Sequence, residues 1–182
     1  MTTLTLKRQP EAPLEAACIT PDNVAGKTAA AIAALSVMHG NEPAVLGDFF
    51  RIEGNGTHDL VLCGDLGRVK NVAAGMTAGS VAIRGDAGMH LGAGMRGGTI
   101  DVEGNAGDWA GAEMRGGRIR IRGNAGHGLG GAYRGSRHGM NRGLILVEGS
   151  AGNETGAGMR RGCIAVRGDA GDFAGAFMIA GT

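Results

Sequence analysis

Hydrophobic residues recur along most of this chain in pairs separated by one residue, and the pairs return about every 19 residues. They are Val81/Ile83, Ile100/Val102, Ile119/Ile121, Ile145/Val147 and Ile164/Val166. Alternation with a period of two is typical of a short β-strand with one buried face. A fixed period of this length is typical of repeat architectures. The pattern therefore predicts one short strand in each repeat.

Each predicted strand ends at a glycine, and a small polar residue, an alanine and a second glycine follow it. The small polar position holds Asp86, Asn105, Asn124, Ser150 and Asp169. Such residues suit turns, whereas glycine at this density disfavours helices, and the three-residue period of collagen is absent. We therefore predict an all-β fold, a parallel β-solenoid in which equivalent positions of successive repeats stack at ~4.8 Å.

One charged position supports this stacking. It holds Arg84, Glu103, Arg122, Glu148 and Arg167, so that the sign alternates from one repeat to the next. Opposite charges on neighbouring strands attract, and like charges repel. The order predicts ion pairs between adjacent repeats.

The first 44 residues lack the repeat and are predicted to form a small α/β cap. Thr20 precedes Pro21, and Thr28 precedes an alanine-rich run that extends to Val37. Threonine before such segments is a helix N-cap signal. We predict a strand over 3–7, short helices from Pro21 and over 29–37, and a strand over 45–52 that opens a first, irregular repeat.

The predicted domains are thus the cap at 1–44 and the repeat domain at 45–182. A solenoid end exposes unpaired backbone, so it requires a cover. No cover is predicted at the last repeat, which indicates that the chain has been cut or that another chain covers this edge.

The amino-acid composition disfavours several classes of function and location. The net charge is +1 and aromatic residues make up 3% of the chain, which disfavours a nucleic-acid or membrane surface. No apolar run has the length of a membrane span, and no signal peptide is apparent. Three widely spaced cysteines, Cys18, Cys63 and Cys163, fit a reduced chain. We therefore expect a cytoplasmic protein.

Two repeats carry extra residues. The repeat that starts at Asp59 has two, and the repeat that starts at Arg118 has seven, at 133–139. Insertions in repeat proteins bulge on one face, which is often the binding face. The larger insertion and its flank predict a docking loop for a partner or an anionic ligand, and the alternative is a solvated surface loop. The residues of this docking loop are Tyr133, Arg134, Arg137, His138 and Arg142.

No catalytic or metal-ligating residues are predicted. The five histidines show none of the spacings of metal sites. Asp86 and Asp169 occupy a turn position where asparagine and serine alternate with them, which favours turn chemistry over acid–base catalysis. Arg96, Arg115 and Arg160 share one repeat position, and we favour a role in solubility over a binding groove for this basic stripe.

Several segments resemble a known family. GMNRG at 139–143, GMRRGCIAVRGDAGDFAG at 158–175 and MIAGT at 178–182 are similar to the C subunit of formylmethanofuran dehydrogenase and its bacterial relatives in formyltransferase/hydrolase complexes. GDFFRIEG at 47–54 matches more loosely. The repeat alone is also similar to the C-terminal domain of the glutamate synthase large subunit.

The resemblance implies a right-handed parallel β-helix that acts as a scaffold without a cofactor of its own. It implies a hetero-oligomer with amidohydrolase-like, formyltransferase-like and dehydrogenase-B-like subunits. Those partners would carry zinc, methanofuran or a tungsten or molybdenum pterin. The favoured function is the complex that converts formyl-tetrahydromethanopterin to formate via formylmethanofuran. The alternatives are a tungsten or molybdenum formylmethanofuran dehydrogenase, a glutamate-synthase-like domain, and a hexapeptide-repeat acyltransferase, against which the 19-residue period argues.

Overall fold

A computed structural model describes residues 1–182, and most of its regular structure is β-sheet. The strands are β1 (Thr2–Leu6), β2 (Leu14–Glu15), β3 (Ser36–His39), β4 (Glu42–Val45), β5 (Phe50–Glu53), β6 (Asp59–Cys63), β7 (Val69–Lys70), β8 (Ser80–Arg84), β9 (Thr99–Val102), β10 (Arg115–Ile121), β11 (Arg142–Val147) and β12 (Cys163–Val166). The helices are α1 (Pro21–Val24), α2 (Ala29–Ala33) and α3 (Leu46–Phe49). The chain is therefore an all-β protein with three short helices, and none of them could cross a lipid bilayer.

Strands of successive repeats lie side by side in sequence order. The main sheet has the order β12-β11-β10-β9-β8-β6-β1-β5, and the pairs from β6 to β12 are all parallel. Ile119 pairs in register with Ile100 on one side and with Ile145 on the other. The predicted alignment of equivalent residues in successive repeats is confirmed for these strands.

A second line of contacts runs through the alanines that follow each strand. Single parallel bridges link Leu66 to Ala87 and then connect Ala87, Ala106, Ala125, Ala151 and Ala170 in turn. These alanines are small and almost fully buried up to Ala151. The alanine bridges thus join the backbone of neighbouring repeats outside the sheet as well, and the predicted inward aliphatics of the strands up to β11 are buried in the core.

One hydrophobic core connects the N-terminal segment to the repeats. A single buried cluster of 36 residues contains Leu4, Ile19 and Leu46 together with the inward residues of every repeat up to Met159. β1 pairs parallel with β6, and Asp22 in α1 accepts a hydrogen bond of 2.9 Å from the backbone N–H of Thr77. The N-terminal segment therefore packs directly on the first repeat, and the domain boundary at 44/45 stays a prediction.

The two predicted helix N-caps are confirmed. The hydroxyl of Thr20 accepts a hydrogen bond from the N–H of Asn23, and the hydroxyl of Thr28 accepts one from Ala31. The second helix, predicted over 29–37, is shorter and ends at Ala33. The residues beyond it form the antiparallel hairpin of β3 and β4, which turns at Gly40 with a φ of 60°.

The predicted strand over 45–52 is wrong in its first half. Residues 46–49 form α3, in which Leu46 and Phe49 are both buried on one face. Gly47 allows this helix to lie against α2, since a Cβ at that position would come within 3.0 Å of the Ala33 side chain. β5 then runs antiparallel to β1 and does not join the parallel series, so it does not open a first repeat.

The predicted ladder of alternating charge is only partly correct. Arg84 pairs with Glu103 as expected. Arg122, however, pairs with Asp101, and Arg120 pairs with Glu148. Residues two positions apart on a strand share a face, so a long arginine side chain can reach a diagonal partner as easily as the directly opposite one.

Candidate docking surface around the insertion

Polar residues that resemble catalytic groups serve as acceptors between repeats. Oδ1 of Asp86 accepts a hydrogen bond of 2.7 Å from the N–H of Asn105, and Oδ1 of Asn105 accepts one of 2.9 Å from Asn124. Asn124 and Ser150 continue this ladder to Asp169. These side chains accept hydrogen bonds from the backbone of the following repeat, a contact that the prediction of turn chemistry did not include.

A second ladder uses a histidine. Oδ1 of Asp108 accepts from the N–H of His127, Nδ1 of His127 accepts from Asn153 at 2.9 Å, and Oδ1 of Asn153 accepts from Asp172. Because Nδ1 of His127 receives a hydrogen bond, it carries no proton in this arrangement. Its role is therefore structural. No group of three or more His, Cys, Asp or Glu side chains is placed to bind a metal ion.

The environment of the Cys18 thiol disfavours its activation as a nucleophile. All three cysteines are free. Burial raises the pKa of Cys18 to about 11, and a hydrogen bond to the backbone of that residue only partly opposes the shift. The Cys18 thiol is therefore protonated at neutral pH, which is the opposite of what an activated nucleophile needs.

Tyr133 connects the insertion to two earlier repeats. Its hydroxyl lies 2.8 Å from Nδ1 of His90, and its ring lies 5.2 Å from the ring of Trp109. Burial lowers the pKa of His90 and raises the pKa of Tyr133. Both shifts favour the neutral forms, and the ring nitrogen of His90 that carries the proton sets which of the two groups donates. The sequence did not reveal this contact, because it joins residues 43 positions apart.

His90 and Trp109 occupy the same position of successive repeats, in the left-handed region at φ of 62° and 63°. The next repeat has Gly128 there, at a φ of 67°. A Cβ on Gly128 would lie 2.6 Å from Cε3 of Trp109, so the indole covers this glycine closely. The absence of a side chain at Gly128 makes room for the ring on which Tyr133 packs.

The contact between His90 and Tyr133 at the base of the insertion should therefore weaken at acidic pH. His90 has a lowered pKa, so the folded state binds its proton less readily than the unfolded state. The contribution of this contact to stability is complete above pH about 6.5 and is lost as the pH falls towards the pKa of the folded state. We expect the emission of Trp109, the single tryptophan, to change with a midpoint below pH 6.5.

The matched control is His90→Asn, because the chain itself uses Asn71 at the equivalent position with a φ of 64°. The fluorescence change should be absent from this variant. A midpoint above the ordinary pKa of histidine would contradict the assignment of a neutral imidazole in the folded state.

The five predicted docking residues do not form one cluster. Tyr133, Arg134 and Arg137 line an open groove of about 770 Å³ together with Trp109 and the side chains of the last two repeats. His138 lines a second, more polar groove of about 690 Å³. Arg142 lies at the start of β11 beside Arg115, outside the loop itself. Tyr133 is half-buried, so the exposed members are the three arginines and His138.

The polar groove adds residues that the loop prediction missed. It is lined by Glu113, Arg115, His138, Gly139, Asn141, Arg160, Arg161, Ile179 and Ala180. Arg115 and Arg160 belong to the repeat position that the sequence had marked as a basic stripe. The insertion thus forms one wall of a groove whose other side carries that stripe. A periodic signal for these arginines was present, but nothing in the sequence placed the loop beside them.

This chain is similar to chains of formyltransferase/hydrolase and formylmethanofuran dehydrogenase complexes. A chain in the crystal structure of the formyltransferase/hydrolase complex from Methylorubrum extorquens, determined with methylofuran, is 37% identical and superimposes with a TM-score of 0.93. The match covers 98% of this chain and 67% of the other. The C subunit of the tungsten-containing formylmethanofuran dehydrogenase 2 from Methanothermobacter wolfeii is 46% identical over 94 residues. The chain belongs to the family of formylmethanofuran dehydrogenase C subunits.

The match to the dehydrogenase subunits is partial in length. The segment aligned with the tungsten-containing enzyme covers 49% of this chain and 35% of the relative. The C subunit of the molybdenum-containing formylmethanofuran dehydrogenase 1 from Methanosarcina barkeri is 46% identical over 83 residues, which are 43% of this chain and 28% of that protein. The matched segments thus span about a third of the length of these dehydrogenase relatives. No family model matches the chain.

Proposed function

We propose that this C-subunit homologue is a non-catalytic scaffold of a formyltransferase/hydrolase complex that converts formyl-tetrahydromethanopterin to formate via formylmethanofuran. The observation that carries the proposal is the structural match over 98% of the chain to a component of such a complex. The use of Asp86, Asp108 and His127 as acceptors for neighbouring repeats supports a structural role, because groups that hold the backbone are not free for proton transfer.

The scaffold role also implies a more specific architecture for the repeats. The in-register parallel strands from β6 onwards and the line of alanine bridges support a right-handed parallel β-helix within the proposed repeat domain at 45–182, with residues 1–44 as its cap. The inward side chains form one buried hydrophobic cluster, which supports a packed interior instead of a substrate-binding one. Chemistry in the complex would then belong to other subunits.

The partners proposed are amidohydrolase-like, formyltransferase-like and dehydrogenase-B-like subunits in the cytoplasm. They would carry the zinc or methanofuran that the reaction requires, and this chain would bind neither. The exposed loop residues Arg134, Arg137 and His138 would dock a partner, while Tyr133 holds the base of the loop in place. A second candidate is the C subunit of a tungsten or molybdenum dehydrogenase, which is favoured by the 46% identity to relatives of both kinds.

Affinity purification of the tagged chain from its source organism tests the proposal. We expect amidohydrolase-like and formyltransferase-like subunits to co-purify, and formyl transfer and hydrolysis to require them. The isolated chain should show no turnover. Substitution of Arg134, Arg137 and His138 by serine should reduce partner recovery, whereas the same change at the exposed Arg118 should not.

Metal analysis of the purified assembly separates the two candidates. Tungsten or molybdenum in stoichiometric amount would favour the dehydrogenase. Recovery of glutamine amidotransferase subunits would contradict both candidates and would point to a glutamate-synthase-like role.

A further inference from the structure

Three arginines lie in one line across the repeats beside the insertion. The backbone N–H groups of Arg96, Arg115 and Arg160 each donate a hydrogen bond of 2.8 Å to the carbonyl of the methionine that ends the preceding repeat. Asn141 makes the equivalent bond between Arg115 and Arg160. The common bond shows that these four residues occupy the same position of successive repeats.

A neighbouring position extends this line of positive charge. Arg142 pairs in register with Arg115 at the start of β11, and Arg161 follows Arg160 one repeat later. Together these five side chains, Arg96, Arg115, Arg142, Arg160 and Arg161, form what we term the arginine stripe. None of them forms an ion pair within the chain, whereas Arg84, Arg120 and Arg122 on the strands all do.

The arginine stripe does not contribute to stability in the way that the paired charges do. Like charges directly opposite each other on neighbouring strands are destabilising, and Arg115 and Arg142 stand in that relation. Nε of Arg160 is buried and has no hydrogen-bond partner. A buried donor without a partner also costs free energy. Both features indicate that the arginine stripe can bind hydrogen-bond acceptors from another molecule.

The surroundings of the stripe define which acceptor fits. Arg115, Arg160 and Arg161 line the polar groove with His138, and Glu113 is the single acidic residue in that lining. Arg160 and Ile179 also line the groove that contains Trp109 and Tyr133, so an apolar surface adjoins the basic one. A ligand that spans both needs carboxylates at intervals and at least one apolar side chain. Guanidinium groups bind carboxylates through paired hydrogen bonds.

We infer that the arginine stripe and the polar groove bind an acidic, extended segment of a partner protein, with an apolar side chain of that segment in the adjoining groove. A nucleic acid would satisfy the arginines but offers no apolar side chain for the second groove. The inference rests on the proposed function in that the partner would be another subunit of the complex. It concerns this chain's own residues, however, and can be tested without the complex.

The test is fluorescence anisotropy of the full chain with a short labelled peptide of glutamates that carries leucine at two positions. We expect saturable binding that weakens as ionic strength rises. The double variant Arg115→Gln/Arg161→Gln should bind about tenfold more weakly, since it removes two charge-assisted contacts from the groove. Both side chains are exposed, so circular dichroism should show an unchanged fold.

The matched control is Arg118→Gln/Arg167→Gln, which removes the same charge from exposed positions outside the groove and should change the affinity by less than about twofold. Equal weakening by the two double variants would reject a specific site. So would equal binding of a peptide with glutamine in place of glutamate, or tighter binding of a single-stranded oligonucleotide.

The outcomes also separate this inference from the proposed function. Peptide binding without co-purifying one-carbon subunits would support the stripe as a docking surface and contradict the assigned complex. An assembled complex from which Arg115→Gln/Arg161→Gln loses no subunit, together with a chain that does not bind the peptide, would refute the inference and leave the scaffold role intact.

Discussion

Replacing Ile119 by alanine should lower the free energy of unfolding by about 2–5 kcal/mol. Ile119 is fully buried and stacks between Ile100 and Ile145. Its Cδ1 also packs against the backbone of two glycines, since a Cβ on Gly92 or Gly111 would lie 3.0 Å or 3.2 Å from it. The surrounding backbone is held on both sides by neighbouring strands, so it can collapse only slightly into the cavity. Urea unfolding followed by circular dichroism measures the loss.

The control for this variant lies in the same line of side chains. Ile164 pairs with Ile145 but belongs to the edge strand β12 and is only partly buried. Ile164→Ala should therefore cost about 1–2 kcal/mol, because less apolar surface is returned to water. Equal losses at the two positions would contradict a stacked core whose middle is better packed than its edge.

A single methyl group added at Gly123 should destabilise the fold by about 3 kcal/mol. Gly123 lies two residues after the end of β10, at a position that is glycine in every repeat. A Cβ there would lie 2.5 Å from Oδ1 of Asn105 and 2.7 Å from the carbonyl oxygen of Gly104. The same Asn105 oxygen accepts a hydrogen bond from Asn124, so Gly123→Ala would disturb the ladder as well as the spacing of the strands.

Gly94→Ala is the matched control for Gly123→Ala. Gly94 has a φ of 64°, and a Cβ at this position would meet nothing within 4 Å. Glu113, at the equivalent position of the next repeat, already adopts a φ of 54°. The control should cost only the left-handed backbone conformation, about 1–2 kcal/mol. Thermal and urea midpoints that rank the two variants in the opposite order would show that steric contact between repeats is not what selects glycine at 123.

The repeats were predictable because each position is sampled several times. Ile100, Ile119 and Ile145 appear at matching positions, so their alignment required only that the period be recognised. The small polar position was equally readable, since Asp, Asn and Ser share the ability to accept a hydrogen bond from the backbone. The structure adds the direction of that bond, which runs from the N–H of one repeat to the side chain of the preceding one.

The N-terminal segment was harder, because its contacts are non-local and occur once. β1 lies between β5 and β6, and no repeated pattern in the sequence predicts this placement. The segment after Val45 contains aromatic and branched residues that favour a strand, yet the burial of Leu46 and Phe49 against α2 and the N-terminal strands selects a helical turn. Tertiary packing overrides local preference most readily in such short elements.

The candidate site was predicted only in outline. The insertion stood out because it broke the period, but its fold depends on Tyr133 reaching His90 and Trp109 in earlier repeats. Those two residues occupy a position that also holds Asn71, Glu154 and Phe173, so their chemical diversity hid their equivalence. The arginines were visible as a series, and their lack of partners became evident only when the neighbouring charges were located.

The acceptor ladders also bear on how chains of this kind change in length. Every link from Asp86 to Asp169 joins a side chain to the same backbone N–H one unit further on. Loss or duplication of one whole repeat would place a side-chain acceptor next to an equivalent backbone N–H. No polar group of the ladder would then lack a hydrogen-bond partner. Gain or loss of entire repeats should therefore be tolerated in the evolution of this architecture. An insertion or deletion of a few residues within the ladder would break its hydrogen bonds.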